Sequence, residues 1–239
     1  MAVGEFGDAD PMHDDSCEVR LWGRLDSAAR RMYSEGTCLD DTLRVITSAA
    51  VDLIPGAEHA GISLRTSGLR FDSRAATGRL PTVLDTLQQE TGEGPCVESM
   101  QERGTVLVDD MRVEKRWPNF ASEAVVLGAG SLLALCLYTG DVHGVLHVHS
   151  SCPGAFDHRS VDIGTRLATH AAIAVIAASR EEQLRSALAS RDMIGQATGI
   201  LMERFEVDAD EAFALLRKLS QERNVPLRRI AGYVVDAGR

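Results

Sequence analysis

The stretch SLLALCLYTGDVHGVLHVHS, Ser131 to Ser150, decides how the larger part of the chain is read. Two apolar runs, Ser131 to Tyr138 and His143 to Ser150, flank Thr139-Gly140-Asp141. Strand-like runs around a short Gly-Asp connection form a β-hairpin. His143, His147 and His149 have one parity in the second run, so they share one face of the strand. Such a face can hold a metal, a haem or a pH-sensitive pocket, or carry ordinary strand histidines.

Outward from the hairpin the pattern alternates. His59 to Arg65, Phe71 to Ala76 and Thr105 to Asp109 read as further strands, and Pro81 to Gln89 and Asn119 to Leu127 as helices. Antiparallel strands with helices packed beside them give an α/β (α+β) sensor-type domain with a central antiparallel sheet. Upstream, Leu21, Leu25, Ala28 and Met32 recur at helical spacing and end at Gly36. Thr37 with Asp40 resembles a capping box for a second helix, whose stripe is Leu39, Leu43, Ile46, Ala50 and Leu53. Pro55-Gly56 stops it. Residues 1–18 hold six carboxylates and no Lys or Arg, and read as a disordered acidic tail.

Downstream of Ser160 the reading is helical almost to the end. Val161 to Ala178 is Ala-rich, and Leu184, Leu188, Ile194, Leu201 and Phe205 continue its apolar stripe, as one long helix or two stacked end to end. A stripe of this kind, through Val161 to Leu188, pairs with a second copy, so a homodimer is expected. Asp208 and Glu211 start another helix, cored by Ala212, Leu215, Leu216 and Leu219 and ended by Asn224. Pro226 suits the first turn of a third, with Leu227, Ile230, Ala231 and Val234 inward. The result is an all-α three-helix module.

Charge divides along the same line. The net charge is −10, but ten basic and ten acidic residues follow from Arg180 onward, so the whole excess sits on the first part. A neutral, Arg-rich piece behind an acidic body is compatible with nucleic-acid contact by that piece. Five cysteines without a Cys-x-x-Cys pair read as reduced thiols rather than a disulfide framework or zinc site. The acidic N-terminus is no secretory signal, and no apolar run reaches the roughly 18 residues that cross a bilayer, so a cytoplasmic protein without membrane contact is expected. The chain carries no Gly-rich phosphate loop, no Gly-x-Ser-x-Gly and no His-Glu-x-x-His, so no catalytic residue is assigned and enzyme chemistry is not expected.

The run IGQATGILMER, Ile194 to Arg204, resembles the signature of ANTAR domains. It is followed in the expected order by DEAFALLR, Asp210 to Arg217, and NVPLRRIA, Asn224 to Ala231. That resemblance covers residues 173–236 and implies an RNA-binding antiterminator that recognises paired stem-loops. Many members carry Lys where this chain has Thr198, which removes one charge–phosphate contact or replaces it by a weaker hydrogen bond. Residues 37–178 resemble a GAF domain through GEGPC (Gly92 to Cys96), RWPNF (Arg116 to Phe120) and GVLHV (Gly144 to Val148). This implies a ligand-binding or dimerising sensor, spanning 19–178 with its N-terminal helix and sharing a linking helix, 160–190, with the module behind it. No Cys is followed by His, which argues against covalent bilin attachment.

Arg191, Arg204, Arg217, Arg228 and Arg229 are the candidate RNA contacts, since guanidinium groups suit phosphates and stack on splayed bases. The bland alternative is a solvated face paired with carboxylates such as Asp192 or Glu203. Gln196 and Thr198, inside the signature run, join the RNA set. Gly199 is expected at a close helix contact, Tyr233 in the core rather than on a base, and Trp117 at the start of the Phe120 helix. Cys96, beside a Gly-Glu-Gly-Pro turn at a helix start where a thiol pKa can fall, joins His147 and His149 as a candidate ligand-binding residue. The ligand is a small molecule or a cofactor that the sequence does not identify. A DNA-binding helix-turn-helix using the Arg228-Arg229 helix, and a purely interacting GAF-mediated dimer, are the rival readings.

Overall fold

The computed structural model describes residues 15–34, 38–67, 70–139 and 142–237. They form two compact units, divided between Ala178 and Ser179. The first is built on five antiparallel strands: β1 (His59–Ser67), β2 (Arg70–Arg74), β3 (Val106–Val108), β4 (Ser131–Thr139) and β5 (Val142–Ser150). Their order is β2-β1-β5-β4-β3. The hairpin expected from the sequence is present: β4 pairs β5 from Ser131↔Ser150 to Thr139↔Val142, while Gly140 and Asp141 lie outside the described residues. β5 pairs on its other side with β1, from His59↔His149 to Leu64↔Gly144.

Alternation along these strands produces two buried faces. Ala60, Ile62, Leu133, Leu135, Leu137, Leu146 and Val148 share one core with α1 (Asp15–Met32), α2 (Leu39–Leu53) and the first part of α6 (His158–Phe205). Leu132, Ala134 and Val145 face the other way, onto α3 (Arg79–Thr91), α4 (Pro95–Glu102) and α5 (Pro118–Val126). The odd-numbered His147 and His149 lie on this second face, buried.

Several boundaries move for local reasons. α1 begins at Asp15, four residues inside the stretch expected to be an acidic tail. The residue before α2 is Cys38, whose side chain makes no cap; Gly36 and Thr37, where a helix stop and a capping box were expected, lie outside the described residues. β2 stops at Arg74 because Ala75 takes a left-handed φ of 50°. α4 opens with Pro95 in its first turn, where the missing N–H costs nothing.

α6 is one helix of 48 residues. Asp157 accepts from Ser160 N at 2.8 Å and caps its start. Ile163, Leu167, Ala168, Ala171, Ala172, Ala174 and Val175 are buried against the sheet. The stripe read as a dimer seam is therefore, up to Ala178, covered within the chain. Beyond it Leu184 and Leu188 stay 65% and 59% exposed. α6 also contains an 18-residue window of mean hydropathy 1.3, so one helix is long and apolar enough to cross a membrane by length and composition. The sequence reading counted uninterrupted apolar runs; this window is 44% buried within the protein.

The second unit is formed by the end of α6, α7 (Ala209–Arg223) and α8 (Leu227–Ala237) around Ala197, Leu201, Ala212, Leu216, Ile230, Ala231 and Val235. Asp208 caps α7 by accepting from Glu211 N at 2.9 Å, and Asn224 ends it with a left-handed φ of 50°. Leu215 is exposed and Val234 half-buried, while Val235 turns inward. Ile230 and Ala231 are buried as expected, Leu227 and Val234 pack against this core partly buried, and Val235 rather than Val234 is the fully inward residue of the last turn.

Candidate nucleic-acid interface and sensor core

In the second unit Arg191, Arg204, Arg217, Arg228 and Arg229 are all exposed. Among the described residues none of the five forms an ion pair with Asp192, Glu203 or any other carboxylate; Arg228 Nη1 donates to Ser186 Oγ at 3.3 Å. A cleft of about 410 Å³ separates α6 from α8. Ala189 and Met193 line one side, and Arg228, Arg229, Gly232, Tyr233 and Asp236 the other. Tyr233 is 58% exposed, which overturns its expected place in the core. Gly199 is also corrected: a Cβ added there meets nothing within 4 Å, so it is no close helix contact.

The seven sequence-selected residues are not gathered into one patch. Arg228 and Arg229 line the cleft; Arg191, Gln196, Thr198, Arg204 and Arg217 do not. Arg191 and Thr198, two turns apart on α6, share a side, and Gln196 lies on another. Thr198 is half-buried and its hydroxyl donates to the Ile194 carbonyl at 2.8 Å, so it is already engaged within the helix.

In the first unit, Cys96, His147 and His149 converge on the buried face between β5 and helices α3 and α4. His147 Nδ1 and His149 Nε2 are 2.8 Å apart, their rings edge to face. His147 Nε2 lies 3.1 Å from Ser63 Oγ and 3.3 Å from Asp85 Oδ2, and the Ser63 hydroxyl donates to that same oxygen at 2.9 Å. The ring is seated against Gly61, where a Cβ would come within 2.6 Å of His147 Cε1. The loop into α4 is equally tight. Gly94 has φ 138° and packs on Gln88, whose Oε1 accepts from Cys96 N at 2.7 Å. Glu93 Oε1 accepts from Asn119 N and Phe120 N at 2.7 and 3.0 Å, fixing the start of α5. Trp117 is buried at that start, as expected.

Electrostatics separates these groups. Burial pushes the Cys96 thiol well above its ordinary value, and the Asp85 charge adds to this. The expected lowering by a helix start does not occur, because desolvation dominates. Burial likewise drives His149 well below the ordinary histidine value, with His147 acting in the same sense. For Asp85 burial raises the carboxyl, but His147 and the Ser63 hydroxyl outweigh it and hold the group below its usual value. Asp85, Cys96 and His147 present ligand atoms within 4.8 Å of one another.

Sequence reasoning missed Asp85, Ser63 and Gln88. A signal existed: Pro81, Leu84, Asp85 and Gln88 fall on one side of a helix, and all four are buried. The space between the sheet and α3 and α5, beside the candidate ligand residues, is packed by Leu84, Trp117, Phe120 and this polar cluster. A cavity of about 250 Å³ lies instead beside β4 and α6, among Arg103, Cys136, Tyr138, Thr165, Thr169 and Ile173.

A GAF domain model matches residues 37–175, and an ANTAR domain model matches residues 182–235. Among solved structures the chain is similar to free methionine-R-sulfoxide reductase from Neisseria meningitidis in complex with its substrate, at 17% identity and TM-score 0.55, over 76% of this chain and 99% of that one. It is similar to the GAF domain of the Acinetobacter phosphoenolpyruvate-protein phosphotransferase, at 17% identity and TM-score 0.54, over 69% and 98%. The GAF domain of the phosphoenolpyruvate-protein phosphotransferase from Coxiella burnetii gives 13% identity and TM-score 0.53, over 69% and 98%. At such identities the likeness is one of fold. No curated protein matches the chain.

Proposed function

Since the chain belongs to the GAF domain family and carries an ANTAR domain behind the GAF domain, we propose that it is a signal-gated antiterminator that recognises stem-loop RNA. ANTAR domains are RNA-binding antitermination modules and GAF domains are sensors, so the architecture is that of a signal-responsive regulator. The finer reading rests on the cleft between α6 and α8. There two guanidinium groups without carboxylate partners among the described residues stand beside an exposed tyrosine. Arginine engages phosphates and tyrosine stacks on unpaired bases, which stem-loops expose and A-form stems do not. Asp236 is the one carboxylate among the lining residues, leaving the cleft net basic.

The signal enters through the first unit as a small molecule or cofactor and reaches the second through α6, the helix both units share. The protein acts as a cytoplasmic homodimer, so that two copies of the module engage two linked stem-loops and gain from effective concentration. Regulation of this kind needs no catalytic step in the chain.

The test is affinity for hairpin RNA and for duplex DNA over a range of salt concentrations. Replacing Arg228 and Arg229 by Ala should weaken RNA binding and reduce the salt slope by about one unit per lost phosphate contact. Tyr233→Ala should cost about 1–3 kcal/mol without changing that slope, as loss of stacking does. Unchanged affinity and slope in the double Arg variant would refute the interface. Preference for duplex DNA would replace the RNA reading with the helix-turn-helix one.

A further inference from the structure

The geometry points to a mononuclear site in the first unit for a borderline-soft divalent cation such as zinc, ligated by the Asp85 carboxylate, the Cys96 thiolate and His147 Nε2. The three donors come from α3, α4 and β5 and lie within 4.8 Å of one another. In a tetrahedral zinc site with bonds of about 2.0–2.3 Å, neighbouring donors stand about 3.3–3.6 Å apart. His147 Nε2 and Asp85 Oδ2, at 3.3 Å, are already at that separation. The thiol has at most on the order of 1 Å left to close.

Each donor is also held by a second residue, as metal ligands are. His149 Nε2 engages His147 Nδ1, which leaves the other imidazole nitrogen facing Asp85. The Ser63 hydroxyl donates to Asp85 Oδ2, and Gln88 Oε1 accepts from the backbone N–H of Cys96. Gly61 seats the His147 ring so closely that it cannot swing toward β1.

Charge and an unmet polar atom point the same way. A carboxylate and a thiolate neutralise a divalent cation, so the occupied site carries no net charge into an interior where all three residues are fully buried. Asp85 Oδ1, the second oxygen of the ligating carboxylate, is buried and has no hydrogen-bond partner among the described residues. Buried polar atoms are ordinarily satisfied, and a cation on this carboxylate would satisfy that oxygen. A bound cation deprotonates a coordinating thiol outright, which overrides the burial that otherwise keeps Cys96 protonated. Three protein donors leave one tetrahedral position, open to Asp85 Oδ1 or to a small exogenous ligand. Zinc sites that accept an additional ligand share this arrangement, whereas closed Cys-rich structural sites do not.

The experiment uses the full chain stripped by a chelator and titrated with Co²⁺, and it involves no RNA. Wild type should develop a thiolate-to-cobalt charge-transfer absorption that saturates at one metal per chain and is displaced by Zn²⁺. Cys96→Ser should abolish the band, while Cys136→Ser and Cys152→Ser retain it. His149→Gln, which leaves the three ligands in place, should weaken binding tenfold to hundredfold, as removal of a ligand's supporting partner does. X-ray absorption of the cobalt-loaded wild type, which depends on no variant folding, should show one sulfur with nitrogen and oxygen donors. No uptake by wild type, a band that survives Cys96→Ser, or a shell without sulfur would overturn the site.

Discussion

Gly199 lies inside α6, where nothing approaches the place of its absent Cβ. Glycine within a helix costs about 1 kcal/mol relative to alanine, and open space allows the larger residue without strain. Gly199→Ala should therefore raise the stability of the C-terminal unit by about 0.5–1 kcal/mol in urea denaturation. A loss of RNA affinity in the same variant would show that this face needs close backbone approach. Glu58 illustrates a titrating contact. It accepts from Ser151 N at 2.9 Å, Ser151 Oγ at 2.8 Å and Ser150 Oγ at 3.4 Å, and these bonds hold its carboxyl below the ordinary 4.5. A folded value below the unfolded one stabilises fully above about pH 4.5 and loses that contribution as pH falls toward the folded value. Denaturation midpoints taken between about pH 6 and 3 should fall less steeply for Glu58→Gln than for wild type. Strand parity put His147 and His149 on one face, and helical spacing sets Asp85 on the inward side of α3, but no periodicity registers that these two elements, some sixty positions apart, meet.

At the level of elements, α6 shows what an apolar stripe does and does not specify. Its repeat established a helix, and the same residues serve equally to pack on a sheet or on a second copy. The sheet takes Ile163 to Val175; Leu184 and Leu188, one turn apart, remain exposed. The dimer seam is accordingly expected at these two leucines, not along the entire stripe. Leu184→Glu with Leu188→Glu should shift a micromolar dimer toward monomer in sedimentation velocity, leaving the helical circular dichroism signal unchanged. A dimer indifferent to both charges would place the seam elsewhere. Hairpin, capped α7 and the Asn224 stop were legible because turn and cap chemistry is local. Ile230 and Ala231 on α8 were legible too, but its last inward position was not: Val234 and Val235 are chemically equivalent, and only the approach of their neighbours selects Val235.

Across the whole molecule, burial is distributed unevenly. Two clusters cover the faces of the sheet in the first unit, while the second has a single core of seven buried residues. A core this small leaves little margin, since small domains bury a lower fraction of their surface. Leu216, fully buried at its centre, should cost about 2–4 kcal/mol when truncated to Ala. Calorimetry should then show the C-terminal transition lowered and the transition of the first unit unmoved; a uniform shift of all heat absorption would mean that the two unfold as one. The strand order carries a last consequence, for association. The outermost strands of the sheet are β2, with five residues, and β3, with three. Free backbone donors and acceptors along a long, flat margin would template amyloid-like addition of another chain's strand, and brevity removes that template. At high concentration, then, the sheet gives little purchase for copies of the chain to polymerise through their backbones.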